Sequence, residues 1–309
     1  MVCIALVGAS SQIAKDFIRL NALNAIYELI LFVRDVQAMT NWLDEIGLAD
    51  RFPVYLYGEY GKHQHDVVIN FVGVGDPSRA AQMGGDILDI TLRFDDLIIS
   101  QLLKNPMRRY IFISSGAVYG GSFSEPADAT SVASYDVNHI TLQNYYSIAK
   151  LHAEVRHRSL RNLSIIDVRV FNYFSRYQGL GSRFFIVDIL NAIKSGSVLR
   201  TSSEPISRDF LHPTDFFQLI GCCLASPCRN FPVDAYTKAP IGKLELLETM
   251  ARNYGLQYEI VCDLTGVVGS KQNYYSTNMK ARELGYQPKY SSLDTLNAEV
   301  SAILEGDDF

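Results

Sequence analysis

The stretch Cys3-Ile4-Ala5-Leu6-Val7-Gly8-Ala9-Ser10-Ser11-Gln12-Ile13-Ala14 runs an apolar segment straight into a glycine turn, and helical apolar spacing continues from Ile13 to Ala22. A strand, a tight turn and a helix in that order aim backbone N–H groups and the positive end of the helix dipole at one point, where a pyrophosphate can sit. A dinucleotide turn asks for glycine at three places: the turn itself, the close backbone approach to the phosphates, and the packing of helix on strand. Gly8 meets the first. Ser11 stands at the second and Ala14 at the third; alanine is small enough to pack, whereas a serine side chain takes up space beside the phosphates. The cofactor-binding residues predicted from this segment are Gly8, Ser10, Ser11, Gln12 and Ile13, with an ordinary ligand-free strand–helix turn as the alternative.

Outward from this turn, the apolar runs Glu28–Val33, Val67–Val72, Tyr110–Ser114 and Ser164–Val170 read as further strands. Their near-continuous hydrophobicity suits strands covered on both faces. Asp86–Leu103 and Leu142–Leu160 carry helical spacing between them, the latter with Ile148, Leu151 and Val155 marking one face. Strands alternating with helices predict an α/β fold, a Rossmann-type doubly wound parallel sheet with a smaller C-terminal α/β substrate lobe. The rhythm changes after Val170. The predicted division is residues 1–172 as a nucleotide-cofactor domain with a return near 208–237, and 173–207 plus 238–309 as the substrate lobe, with a helix over Phe184–Lys194.

The second strand ends at Arg34-Asp35. At this place in such a sheet, an acidic residue accepts from a free ribose 2′-hydroxyl, whereas an arginine accommodates the 2′-phosphate of NADP. Arg34 favours NADP over NAD, with Asp35 competing and both residues as plain loop charges the other alternative. Phe71 and Val72, at the end of the strand Val67–Val72, complete the predicted cofactor set.

The composition bounds the rest. A net charge of −5 disfavours a nucleic-acid surface, and no apolar run is long enough to span a membrane. Five cysteines, without a Cys-x-x-Cys pair, predict free thiols in a reducing, cytoplasmic setting. His63-Gln-His65 has too few companions to hold a metal and reads as an exposed loop, and Cys222-Cys223 reads as core. No metal is expected.

Tyr146-Ser-Ile-Ala-Lys150 sets a phenol and an ammonium four residues apart on one helix face. A tyrosine of ordinary pKa, ~10, is a poor acid–base group at neutral pH; a neighbouring cation stabilises its phenolate and brings proton exchange into range. Lys150 is also placed to hold a cofactor ribose hydroxyl. With 18 tyrosines in the chain, chance alone supplies about 0.6 such Tyr–Lys pairs, so context decides. Upstream, Tyr110-Ile-Phe-Ile-Ser114-Ser115-Gly116-Ala117-Val118-Tyr119-Gly120 is an apolar strand ending in hydroxyls at the crevice where such sheets bind ligands. Ser115, Tyr146 and Lys150 are the predicted catalytic residues, Ser115 holding the substrate oxygen that Tyr146 protonates.

In order, the glycine turn, Ser-Ser-x-x-Val-Tyr-Gly and Tyr-x-x-x-Lys resemble the extended short-chain dehydrogenases/reductases, and more narrowly the NAD(P)-dependent nucleotide-sugar epimerase/dehydratase/reductase family. Three later segments carry the resemblance over nearly the whole chain: Arg169-Val-Phe-Asn172, Arg208-Asp-Phe-Leu-His-Pro-Thr-Asp215 and Asn278-Met-Lys-Ala-Arg-Glu-Leu-Gly-Tyr-Gln-Pro288. The resemblance implies that Asn172 and Arg208, with Ser115, bind a nucleotide-diphosphate sugar, as in polysaccharide biosynthesis, and that a homodimer is possible. Left to their own residues, Arg208 can instead pair with Asp209 or Asp215, and Asn172 can satisfy backbone at a strand end. Thr91 stands where the family places an Asn, and the proline usual before Tyr-x-x-x-Lys is missing. The family's 4,6-dehydratases carry Asp-Glu just after the catalytic hydroxyl, where this chain has Gly116-Ala117, and no cysteine lies between Cys3 and Cys222 for inversion beside the ketone. A 4-ketoreductase using NADPH is expected, with a 4-epimerase holding NAD and a non-catalytic cofactor-binding member as alternatives. Arg183, Phe184, Lys271 and Tyr274 are further candidates for the substrate lobe.

Overall fold

The computed structural model describes residues 1–74, 80, 82–121, 123–181, 184–227, 229–261 and 271–306; Arg183, Cys228 and Cys262 lie outside them. The run Cys3–Val7 forms β1, followed in the chain by β2 (Glu28–Val33), β3 (Val54–Leu56), β4 (Val67–Asn70), β5 (Arg109–Ser115) and β6 (Ser164–Val170). With the strand Phe231–Asp234 they make a seven-stranded sheet in the order Phe231–Asp234, β6, β5, β4, β1, β2, β3. Every adjacent pair is parallel. This is the Rossmann-type doubly wound sheet that the alternating runs predict. The order reverses between β1 and β4, and a ligand crevice opens outside the carboxyl ends of strands at such a switch point.

Alternation along the strands divides the core between two faces. Ile4 and Leu6 pack with Phe17 and Ile18 of the helix Gln12–Asn24. Ala5 and Val7 pack on the other face with Ile98, Leu102 and Ala153, from the helices Asp86–Leu102 and Leu142–Ser159. A second apolar cluster, including Phe174, Ile189, Leu247 and Val300, lies beneath the helices Phe185–Ser195, Lys243–Tyr254 and Ser292–Glu305.

Four local expectations are corrected. The strand expected over Val67–Val72 ends at Asn70, whose Oδ1 accepts from Val72 N at 2.9 Å while its Nδ2 donates to the Tyr110 hydroxyl at 3.0 Å. Phe71 and Val72 therefore leave the sheet as a turn. The helix Val36–Glu45 and the strands Val54–Leu56 and Phe231–Asp234 add elements that periodicity did not reveal. In the helix Leu142–Ser159, Val155 is 61% exposed, and the buried side carries Lys150, Glu154 and His157. Burial of these polar groups is offset by hydrogen-bond partners: His157 Nδ1 and Nε2 lie 2.6 and 2.7 Å from Asp167 and Asp95. Finally, His65 is buried, not a loop residue in solvent: its ring nitrogens contact the His63 carbonyl and the Tyr60 hydroxyl. Burial pushes its pKa down to about 4. Among the described cysteines, Cys3, Cys222 and Cys223 are free thiols, and Cys223 is buried. No described helix is long and apolar enough to cross a membrane.

Candidate active site

The predicted cofactor cradle begins with backbone. Gly8 adopts φ +86°, and a Cβ there would lie 2.8 Å from Val72 N and 2.9 Å from Phe71 C. A left-handed residue this close to a neighbouring turn must be glycine. Ser11 has an ordinary extended backbone, φ −70°, and its Oγ turns back to cap the helix Gln12–Asn24, accepting from Ala14 N at 3.4 Å. Its substitution for glycine therefore creates no strain, and its hydroxyl is occupied by the helix. The N–H groups of Gln12 and Ile13 precede the helical ladder and have no i−4 carbonyl to bond. Gly8, the exposed Ser10 and this free first turn fit a pyrophosphate.

Arg34 and Asp35 separate in role. The Asp35 carboxylate caps the helix Val36–Glu45, accepting from Ala38 N at 3.0 Å. Arg34 is exposed beside Tyr57 and makes no ion pair with a described residue.

The residues predicted to be catalytic meet at the carboxyl end of β5. Ser115 Oγ caps the turn Gly116–Tyr119 by accepting from Ala117 N at 3.2 Å, and it shares a hydrogen bond with the Tyr274 hydroxyl at 3.1 Å. Tyr146 reaches the same serine from the helix Leu142–Ser159; burial raises its pKa, partly opposed by the Ser115 hydroxyl. Lys150 departs from the expected arrangement. Its Nζ donates to the Ile113 carbonyl at 2.8 Å, lies 4.3 Å from the Phe112 ring centroid, and is 3.2 Å from where a Gly73 Cβ would be. Helical spacing put ammonium and phenol on one face, but a buried ammonium takes the strongest acceptor in reach, here a strand carbonyl. Burial lowers Lys150 to about 8, against the opposing pull of Glu154, Asp167 and Asp95.

Behind the site, Glu154 accepts from Ser114 Oγ at 2.6 Å and from Arg169 Nη2 at 2.6 Å. Arg169 Nη1 in turn donates to the Tyr119 hydroxyl at 2.7 Å. This frame fixes the end of β5 to the helix that bears Tyr146 and Lys150.

On the substrate side, Arg208 forms no ion pair with Asp209 or Asp215. Asp209 is taken by Thr237 and Ser292, and Asp215 accepts from the backbone N–H groups of Lys289 and Tyr290. Arg208 Nη1 donates to the carbonyls of Ser207 and Gln272. Asn172 Nδ2 donates to the carbonyls of Asp209 and Tyr274, so it satisfies backbone beside the site. Phe184 packs against the second apolar cluster, whereas Lys271 and Tyr274 stand at the site. Residue types alone missed Phe171: a Cβ on Gly116 would lie 2.3 Å from its ring. Thr91 is buried in the helix Asp86–Leu102.

A doubly wound parallel sheet, a glycine turn at its switch point and a Ser–Tyr–Lys set at the next strand ends define an extended short-chain dehydrogenase/reductase. The family model described as the NAD dependent epimerase/dehydratase family matches residues 4–237, and the chain belongs to that family. A search of curated proteins finds no match. Among solved structures, UDP-glucose 4-epimerase with UDP-glucose from Thermotoga maritima is similar at TM-score 0.79 and 15% identity, covering 99% of each chain. UDP-glucuronic acid 4-epimerase from Bacillus cereus, in complex with UDP-glucuronic acid and NAD, matches at TM-score 0.79 and 15% identity, covering 99% of this chain and 100% of its own. dTDP-glucose 4,6-dehydratase from Bacillus anthracis in complex with NAD matches at TM-score 0.78 and 17% identity, covering 100% and 98%.

Proposed function

We propose that the protein is an NADPH-dependent reductase of the C4 ketone of a nucleotide-diphosphate 4-keto sugar. The observation that carries this reading is the division of labour after β2: Asp35 is committed to a helix cap while the Arg34 guanidinium has no acidic partner among the described residues. A free guanidinium favours the 2′-phosphate, and an exchangeable NADPH favours net reduction. Gly8, Ser10, Ser11, Gln12, Ile13, Phe71 and Val72 would hold the cofactor's pyrophosphate side, and Lys150 its ribose. When bound, the nicotinamide supplies the hydride. Ser115 Oγ hydrogen-bonds the ketone oxygen and Tyr146 protonates it as negative charge develops. Arg208 and Asn172 bind the diphosphate.

Dehydration is disfavoured by sterics as well as by composition. The position that carries an acid in the family's dehydratases is Gly116, and the Phe171 ring occupies the space its side chain would need. The test is NADPH oxidation followed at 340 nm with a panel of nucleotide-4-keto-6-deoxysugars. Consumption of NADPH with one of them supports the reductase. Interconversion of two nucleotide sugars at constant absorbance overturns it in favour of a 4-epimerase, and binding of neither NADPH nor NADH overturns the enzyme reading itself.

A further inference from the structure

The Ser115 hydroxyl lies between two phenols. A serine oxygen has one proton to donate and two lone pairs with which to accept. The Ala117 N–H fills one lone pair at 3.2 Å. What remains, one donor and one acceptor, is shared between the Tyr274 hydroxyl at 3.1 Å and the Tyr146 phenol. Ser115 can therefore donate to one phenol while accepting from the other, and reversing that order carries a proton from one end of the row to the other. The two ends belong to different parts of the molecule. Tyr146 stands on the helix Leu142–Ser159, where the Lys150 ammonium is turned to the Ile113 carbonyl. Tyr274 stands on the strand Asn273–Tyr274, half-buried at the edge of a three-stranded sheet and in register with Arg208. Arg208 Cζ is 6.0 Å and Lys271 Nζ 4.2 Å from the Tyr274 ring centroid, and cations there oppose the cost of a phenolate. Burial raises the pKa of both phenols, so at neutral pH every hydroxyl in the row carries its proton.

We infer that Tyr146, Ser115 and Tyr274 are a relay of three hydroxyls, through which the proton that Tyr146 gives to the ketone oxygen is replaced from the substrate-lobe side. The inference rests on the reductase reading, since only net reduction uses up a proton at every turnover. The steps balance. Hydride reaches C4 and the Tyr146 proton reaches the oxygen, so the ketone becomes an alcohol and Tyr146 a phenolate. Ser115 then turns its own proton from the new hydroxyl to Tyr146 and takes the proton of Tyr274. The Tyr274 phenolate, beside the Arg208 charge, takes a proton from water, and all three hydroxyls are restored. Tyr274 acts on the reacting oxygen only through Ser115. Its loss should therefore spare the first hydride transfer, for which Tyr146 is already protonated, and impair the turnovers that follow.

Tyr274→Phe keeps the ring against Phe123 and Phe171 and removes only the hydroxyl. Stopped-flow absorbance of NADPH, with a nucleotide-4-keto sugar that the wild type reduces, separates the first turnover from those after it. Proton transfer from a positioned side chain contributes about 10²–10⁴-fold, so loss of the route should lower the steady-state rate about tenfold or more. The first turnover should keep the wild-type rate, which gives a burst of one NADPH per site. Imidazole, a small proton carrier, should restore the steady-state rate of Tyr274→Phe and leave the wild type unchanged. A Tyr274→Phe protein that shows no burst overturns the relay and leaves the reductase standing. So does one whose first and later turnovers are slowed alike without a response to imidazole. A wild type that interconverts two nucleotide sugars at constant absorbance overturns reductase and relay together, because an epimerase regains the proton it gives. A wild type that consumes no NADPH with any ketosugar does the same.

Discussion

The hydroxyl of Tyr274 is 3.1 Å from Ser115 Oγ, joining residues 159 positions apart at the point proposed to bind the substrate oxygen. Ser115 also accepts from Ala117 N, so an incoming ketone has to exchange for the Tyr274 bond. Tyr274→Phe keeps the ring against Phe123 and Phe171 but releases the serine hydroxyl. An exchanged hydrogen bond is worth roughly 1 kcal/mol, so the ketosugar KM should fall about fivefold. Steady-state kinetics checks this, and a rise in KM would mean that Tyr274 supports the substrate instead of competing with it.

Tyr146→Phe removes the proposed proton donor and keeps the ring. General acid catalysis contributes about 10²–10⁴-fold, so kcat for ketone reduction should fall by that range while NADPH affinity, measured by fluorescence, stays within a few-fold. Full activity would move the acid role elsewhere.

Gly116 is closed by Phe171. A Cβ 2.3 Å from an aromatic carbon cannot be accommodated without moving one of the two, and overpacking costs about 1–3 kcal/mol. Gly116→Ala should lower the denaturant midpoint accordingly. In a Phe171→Ala background the same change should cost much less, because the clash is shared by the pair. Additive losses in the double variant would show that Phe171 is not the obstacle.

How much of this was legible follows from the range of each interaction. Gly8 and the apolar β1 announced their turn because strand, glycine and helix are contiguous. That Ser115 and Tyr146 are neighbours was legible because a strand end and a helix bring them together whatever the details of packing. The direction of Lys150 was not legible: helical spacing fixes which face it is on, while the carbonyl of Ile113, 37 residues away, decides what it bonds. Val155 misled for a related reason. Apolar periodicity presumes that burial follows hydrophobicity, but Glu154 and His157 are buried through ion pairs that only the fold assembles. Lys271 and Arg208 at the Tyr274 ring, and Phe171 over Gly116, are brought together across 63 and 55 positions, and no local pattern records them. The edge strand Val54–Leu56 is three residues long and half-exposed, too short for alternation to register.

Arg34 should set the cofactor preference. A guanidinium–phosphate bond contributes about 1.5–3 kcal/mol, so Arg34→Ala should weaken NADPH by roughly 10–100-fold and leave NADH nearly unaffected, read as the ratio of kcat/KM for the two cofactors. Asp35→Ala acts differently: it removes the cap on Ala38 N, and loss of such a cap costs about 1 kcal/mol of stability. If Asp35→Ala instead selectively impaired NADH, Asp35 would be a ribose ligand and the NADP assignment would fail.

The pH dependence of stability should carry the mark of His157. Burial by itself would lower its pKa, but the carboxylates of Asp167 and Asp95 at 2.6 and 2.7 Å overcome this and raise it to about 9. A group raised above its unfolded value of ~6.5 stabilises the fold fully below that pH and loses the contribution as pH climbs through the folded value. The window is therefore pH 6.5 to about 9, and the shift corresponds to roughly 3 kcal/mol. His157→Gln fills a similar volume without the charge. The variant should be less stable than wild type at pH 6, and the difference should shrink on going to pH 10, as measured by urea unfolding at each pH. Taking the difference cancels Lys271, whereas Lys150, which feels the same Asp167 and Asp95 carboxylates, shifts with the substitution and is followed separately in a Lys150→Met background. A wild-type advantage that is constant from pH 6 to pH 10 would mean that His157 is held neutral, with one carboxylate carrying the proton. The ion-pair link from the helix of Tyr146 to β6 and the helix Asp86–Leu102 would then be an ordinary hydrogen-bonded one.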